Sequence, residues 1–220
     1  MKIYINSFEY LNFSKQSGKM DGIPSLSTNK YTNENCIKLM NSKKENIICK
    51  HCFVDKTAKR FSDLTPALEH NSQILTKRAL TNNEIKRLSE VLGNALIFRF
   101  ESFGDLNNEI QLINYVNIAR AYPKTKFGLF TKHFTIVLNY FKNGLRFPKN
   151  ITLVLSAPFI NEGLNNSFVD IFKKYHSRTI TFSVTNDKNN LNINCGKRRC
   201  IECRNCYDAK KPKNVIELLK

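Results

Sequence analysis

Three observations in the sequence predict an α/β fold with a mostly parallel sheet. Four short, almost wholly apolar runs recur through the middle of the chain, helical patterns separate them, and cysteines gather near both ends. The apolar runs are 95–100 (ALIFRF), 126–131 (KFGLFT), 151–157 (ITLVLSA) and 179–184 (TITFSV). Each has the length and composition of a strand buried on both faces. Strand and helix alternating at this pitch implies parallel strands joined by right-handed crossovers, hence an open α/β sheet or part of a (β/α) barrel.

Each element follows in order. Residues 1–60 form an N-terminal segment that carries the first cysteine group; the first 35, rich in Ser, Asn and Lys, leave their own order open. Thr65 as N-cap with Pro66 at the first helical position predicts a helix over 65–79. Thr81 and Glu84 make a capping box, followed by Ile85, Leu88, Val91 and Leu92 on one helical face, and Gly93 stands where that helix should end. After the strand at 95–100 come helical patterns at 107–121, at 133–143 with Phe134, Val137, Leu138 and Phe141, and at 164–176 with Leu164, Phe168, Ile171, Phe172 and Tyr175. The α/β core thus covers 61–190, and 191–220 is a basic, cysteine-rich segment. A chain of 220 residues has room for one full domain spanning 1–220.

Composition narrows the function classes. With 41% hydrophobic and 24% charged residues the chain reads as a globular protein, and no apolar run approaches the ~20 residues of a membrane span. The N-terminus has no signal-peptide pattern, which predicts a cytoplasmic protein with reduced thiols and no membrane partner. The net charge of +17 draws the surface toward phosphates and makes nucleic acid an expected contact. The excess is spread along the chain and is densest around the closing cysteines. A bias toward Lys, Asn and Ile together would also produce it without selection for binding.

The cysteines carry the sharpest chemical signal. Cys195, Cys200, Cys203 and Cys206 follow the spacing C-x4-C-x2-C-x2-C, a complete set of ligands for one metal centre. Structural zinc is usually gripped by two separated C-x2-C turns, whereas an iron-sulfur cluster can be held by successive cysteines on one tight loop. The spacing therefore favours iron-sulfur over zinc. A folding staple without chemistry is the plainer alternative. Cys36, Cys49 and Cys52 form a second group of three, with Phe53 directly after the last. Either His51 supplies a fourth ligand, or the site keeps a position open for a small molecule as catalytic metal sites do. The plainer reading is a zinc knuckle, or thiols that are merely buried.

In parallel α/β folds functional groups gather beyond the carboxyl ends of the strands. Beyond the first central strand stand Glu101, Ser102, Gly104 and Asp105, and beyond the second Thr131, Lys132 and His133. Ser156 ends the third strand; Ser183 and Thr185 end the fourth. Glu101, Asp105 and His133 are the candidate catalytic groups, and Ser102, Gly104, Lys132 and Ser156 the candidate cofactor contacts. Each has a structural alternative: Asp105 can cap the next helix, His133 can sit in its first turn, and hydroxyls can satisfy loop backbone.

These residues resemble the phage gene product 88 family. The resemblance rests on Ser17 to Met20, Ser25 and Leu26, on Cys36 with Cys49, Cys52 and Phe53, and on Ser102 to Leu106. It continues through Phe130 to Lys132, Pro148 and Asn150 before a strand ending in Ser156, and the closing cysteine run followed by Tyr207. It spans nearly the whole chain and implies phage or prophage origin, hence the host cytoplasm, with no established activity.

More distantly, three N-terminal cysteines before an aromatic, a partial (β/α) barrel and an acidic glycine turn look like the radical S-adenosylmethionine superfamily. That similarity implies a 4Fe-4S cluster on Cys36, Cys49 and Cys52, with S-adenosylmethionine on its open iron. It further implies Glu101 or Asp105 meeting the cofactor's ammonium, and an auxiliary 4Fe-4S cluster on Cys195, Cys200, Cys203 and Cys206. The departure is the first gap of twelve residues, where the superfamily has C-x3-C-x2-C. Two function classes follow: an iron-sulfur enzyme of radical type acting on a nucleotide or nucleic acid, and a non-catalytic, zinc-stabilised module that binds nucleic acid or a host protein.

Overall fold

A computed structural model describes residues 1–15, 17–196, 198–208 and 214–219. The strands are β1 (Lys2–Tyr4), β2 (Tyr10–Lys15), β3 (Pro24–Leu26), β4 (Ile97–Phe100), β5 (Lys126–Thr131), β6 (Ile151–Ile160), β7 (Thr179–Thr185) and β8 (Asn214–Leu218). The helices are α1 (Glu34–Met40), α2 (Phe53–Arg60), α3 (Leu64–Leu75), α4 (Asn82–Lys86), α5 (Ser89–Leu92), α6 (Glu109–Ala121), α7 (Phe134–Lys142), α8 (Asn166–Tyr175) and α9 (Cys200–Cys203). None of these helices is long and apolar enough to cross a membrane.

The strands form one sheet in sequential order from β1 to β8. β1, β2 and β3 pair antiparallel, and every pair from β3 to β8 is parallel. A doubly wound sheet would reverse its strand order at a switch point; this one never reverses. With right-handed crossovers, an order of that kind sends the connecting helices α6, α7 and α8 to the same face, while the β7–β8 connection with α9 crosses the other.

The side chains bear this out. Phe98, Phe100, Phe127, Leu129, Leu153 and Leu155 alternate along β4, β5 and β6 and join one core with Leu112, Tyr115 and Val116 of α6, Val137 and Phe141 of α7, and Phe172 of α8. Phe100 stacks on Tyr115 and on Phe127, with ring centroids 4.2 and 5.1 Å apart. The opposite face presents Ile97, Phe130, Val154, Ile180 and Val215, and its cover is the C-terminal cysteine segment, packed on it through Cys195, Cys200, Cys206 and Tyr207.

The four predicted strands and their connecting helices are present. β5 matches its predicted bounds, while β6 runs on to Ile160. Its pairing shifts between Ser156 and Ile160 around Pro158, which has no N–H for a ladder bond. α3 starts at Leu64 with Asp63 as N-cap, so Thr65 and Pro66 lie inside its first turn, where a missing N–H costs nothing. The Thr81 to Glu84 capping box forms, but the expected single helix breaks into α4 and α5 at Arg87 and Leu88. The sheet also reaches beyond the central segment. The opening residues supply β1 to β3, and the closing residues supply β8.

Candidate functional site

At the carboxyl ends of β3, β4 and β5, three loops share one buried polar cluster. Glu101 leaves β4 with φ 57, a left-handed conformation that costs a non-glycine residue about 1–3 kcal/mol and persists only when its surroundings hold it. Four donors do so. Its carboxylate accepts from Thr28 N (3.2 Å), Thr28 Oγ1 (3.2 Å), Gln111 Nε2 (2.6 Å) and the Tyr115 hydroxyl. Burial nevertheless pushes the carboxyl up to about 8, with the Asp105 charge adding to the rise and the Tyr115 and Thr28 hydrogen bonds opposing it. Gly104 closes against this group: a Cβ there would stand 2.4 Å from Thr28 O and 2.6 Å from Glu101 Oε2. The glycine is required by packing within the chain.

Asp105 is equally engaged. Oδ1 accepts from Thr131 Oγ1 (2.5 Å) and Leu106 N (2.7 Å), and Oδ2 from Lys132 N (2.8 Å). It thereby ties the β4 loop to the end of β5. His133 completes the tie, its backbone N–H donating to Thr131 Oγ1 and its Nδ1 lying 3.0 Å from Leu106 O. Both carboxylates are saturated by protein donors and build the loop. The Ser102 hydroxyl is different, because it is buried without a hydrogen-bond partner among the described residues.

The first cysteine group approaches this cluster from outside the sheet. Asn33 caps α1, accepting from Cys36 N (3.1 Å), while its Nδ2 donates to Asp105 O (2.9 Å). That places Cys36 beside Asp105 and Lys132. Cys49 lies on a 3-10 turn (Ile48–His51), carried to the end of β6 by the bridge between Ile47 and Phe159 and by Ile160 N donating to Asn46 O (2.7 Å). Cys52 is the N-cap of α2, which is anchored by the ion pair of Asp55 with the buried Lys30 at 2.6 Å. Burial raises the thiols of Cys36 and Cys49; Asp105 reinforces the rise and the Lys132 ammonium opposes it in both. Cys36 and Cys49 thus lie within electrostatic reach of each other and of Lys132, Cys49 also of Cys52, and Glu101 of Cys36. His51 is exposed at the end of its turn.

The second cysteine group sits on the opposite face, helix-free apart from the single-turn α9. Cys195 is bridged to Glu217 of β8, its N–H donating to Ile216 O (3.0 Å), and Cys200 and Cys203 begin and end α9. Arg204 caps that turn at φ 55 and returns the chain toward the sheet, where Tyr207 lands. All four thiols line one cavity of about 40 Å³, with Tyr207 and Val215 in its wall. Arg198 and Arg204 also line it, and Lys19 and Arg99 act on its thiols. Lys19 Nζ lies 3.6 Å from Cys195 Sγ and pairs with Glu217. Arg99 acts on Cys200 and Cys206, lowering thiols that burial raises, Cys206 to about 12. Its guanidinium lies 3.7 Å over the Phe130 ring, with Nη1 3.3 Å from Met20 Sδ and Nε buried without a partner.

An all-thiol donor set with adjacent cations suits a metal-thiolate centre, whose bound charge is negative. Among the described residues, no three or more His, Cys, Asp or Glu side chains are drawn into a single-ion shell. Ser156 lies on the helix-free face, buried in β6 opposite Phe182. Thr185 donates to Asn161 Oδ1 (2.9 Å) at the end of β7, a loop-fixing role. The residues that sequence reasoning missed are Thr28, Gln111, Tyr115, Lys19 and Arg99. Only Arg99 left a trace there, as a charge inside an otherwise apolar strand.

No curated protein and no solved structure matches the chain, and the comparisons lend no support to kinship with the radical S-adenosylmethionine superfamily. A family model described as gene product 88 matches residues 12–218. The order of motifs from the first cysteine group to Tyr207 lies within that span, and the chain belongs to the phage gene product 88 family.

Proposed function

We propose that this protein is an iron-sulfur enzyme that works at Cys36, Cys49 and Cys52 and keeps its C-terminal four-cysteine centre as a closed, auxiliary one. The reading rests above all on one arrangement. Cys36 of α1, Cys49 of the 3-10 turn and Cys52 at the head of α2 approach one side of the carboxyl ends of the parallel strands, Cys36 and Cys49 within electrostatic reach of Lys132, and three ligands there would leave one coordination position unfilled. A cluster bound there would supply one-electron chemistry to a co-substrate on its open iron, and S-adenosylmethionine suits that position. Lys132 offsets thiolate charge, and the buried Ser102 hydroxyl has no hydrogen-bond partner among the described residues. Glu101 and Asp105 hold the two loops that carry them. The net charge of +17 supports a nucleotide or nucleic acid as substrate.

The test is metal analysis of anaerobically purified protein, followed by incubation with S-adenosylmethionine and reductant. Brown protein with several irons and matching sulfide, and cofactor cleavage that Cys49→Ser abolishes, is the expected result. Colourless protein carrying zinc on both cysteine groups would replace this reading with a non-catalytic, zinc-stabilised module that binds nucleic acid or a host protein. Iron without cofactor cleavage would leave an electron-transfer or structural cluster.

A further inference from the structure

The amino ends of the parallel strands carry a feature that the cysteine groups do not touch. Lys126 opens β5, Lys149 and Asn150 precede β6, and Arg178 precedes β7. With Arg120 at the end of α6 these residues line an open cleft of about 370 Å³. Four of its lining residues are cations and none is acidic. Among the described residues, no carboxylate lies within ion-pair distance of any of the four.

The polar side chain of the lining is already engaged within the chain. The Asn150 amide donates to Ala119 O (2.8 Å), Tyr122 O (3.0 Å) and Thr125 O (3.0 Å), one carbonyl of α6 and two of the turn that follows it. Arg120 is held in place by donating to Arg146 O (2.9 Å). The result is a concave surface with four cations, Arg120 among them held in place, and no acidic side chain in its lining. Such a surface focuses field and collects anions.

We infer that this cleft is a docking site for the phosphodiester backbone of nucleic acid, at the opposite end of the sheet from the first cysteine group. The lining argues for a backbone over a free nucleotide. Its one side-chain amide is spent on protein carbonyls, no aromatic ring offers a base a stacking surface, and the cleft is too open to enclose a small molecule. What it recognises is phosphate charge, and a polymer presents several phosphates at once. The inference stands independently of the metal reading, since it uses no residue of either cysteine group.

The experiment measures binding of duplex DNA to the full chain by fluorescence anisotropy over a series of salt concentrations. It compares wild type, a cleft variant (R120Q, K126Q, K149Q, R178Q) and a charge-matched control (K43Q, K59Q, K86Q, K188Q) built from exposed lysines elsewhere. Each neutralised phosphate contributes about 0.9 to the slope of log affinity against log salt, so the cleft variant should lose roughly three to four from that slope. The control should lose less than one. If circular dichroism shows the cleft variant misfolded, the double variant Lys126→Glu, Lys149→Glu at two exposed positions carries the same test, with an expected loss of about two or more. Equal losses in cleft and control variants, no binding by wild type at low salt, or competition by inorganic pyrophosphate as strong per phosphate as by DNA would each overturn the assignment.

Discussion

Tyr207 fills the space that Gly128 leaves above the middle of β5. A Cβ at position 128 would stand 2.8 Å from the tyrosine ring and 3.3 Å from Cys206 O, both belonging to the segment that covers the helix-free face. Gly128 has an ordinary strand conformation, so what it provides is closeness of approach. The closing cysteines are seated by this contact.

Gly128→Ala should therefore lift the C-terminal segment without disturbing the helix-facing core. Overpacking of this kind costs about 1–3 kcal/mol. The expected result is a lower urea midpoint, faster proteolysis after residue 190 and reduced metal content at Cys195, Cys200, Cys203 and Cys206, with the first cysteine group unaffected. Unchanged proteolysis and metal content would show that the ring does not anchor the segment.

The central alternation of strand and helix was legible in the sequence because β4 to β7 are buried on both faces and their helices carry an unbroken apolar stripe. β1 to β3 and β8 were not. They are short, and residues such as Asn12, Ser14 and Glu217 sit among their apolar positions, so only pairing with a neighbour makes them strands. The cysteines and the loop carboxylates were legible as chemistry. The saturation of Glu101 was not, because its donors come from positions 28, 111 and 115, and the sheet alone brings them together. The cover over the helix-free face was equally hidden, since Gly128 and Tyr207 are remote in sequence.

Glu101 should leave a signature in the pH dependence of stability. Its carboxyl is raised from an ordinary 4.5 to about 8 by burial, so between those values the folded chain holds a proton that the unfolded chain releases. Stability therefore falls as pH climbs through that window and levels off above it. Glu101→Gln removes the titrating group, and its urea midpoint should be flatter across the window than that of wild type. Parallel curves would mean that the four donors keep the carboxylate ionised throughout.

Glu84 predicts the opposite slope in acid. Arg78 donates to it from Nη1 (3.0 Å) and Nη2 (2.7 Å) and holds its carboxyl near 2, with the Thr81 and Asn6 bonds helping. A depressed carboxyl stabilises the fold above its unfolded value of about 4.5, and that contribution is lost as pH falls toward 2. Arg78→Met leaves Glu84 and Glu9 without their cation. It should cost about 1–2 kcal/mol at neutral pH and less at low pH, where the pair is already broken. Chemical denaturation at neutral and acid pH checks both halves, and an equal loss at the two would sink the idea.

Arg99 offers the most direct link between fold and proposed chemistry. It is the one charge within β4, and on the helix-free face its guanidinium meets an aromatic ring, a thioether and the closing cysteines, with no carboxylate in ion-pair reach among the described residues. A cation left that poorly compensated is costly unless negative charge comes to it. Thiolates of a bound iron-sulfur centre would bring that charge. Reduction adds a further electron beside the guanidinium, so removing the cation disfavours reduction. On the iron-sulfur reading, Arg99→Gln should move the midpoint potential of the C-terminal centre downward by tens of millivolts, where about 59 mV is a tenfold change for one electron. Arg99→Lys should restore most of the shift, because charge rather than fork geometry is what acts at this range. Spectroelectrochemical titration of both variants, at matched iron content, decides it: a glutamine variant with the wild-type potential would show that Arg99 answers some other charge.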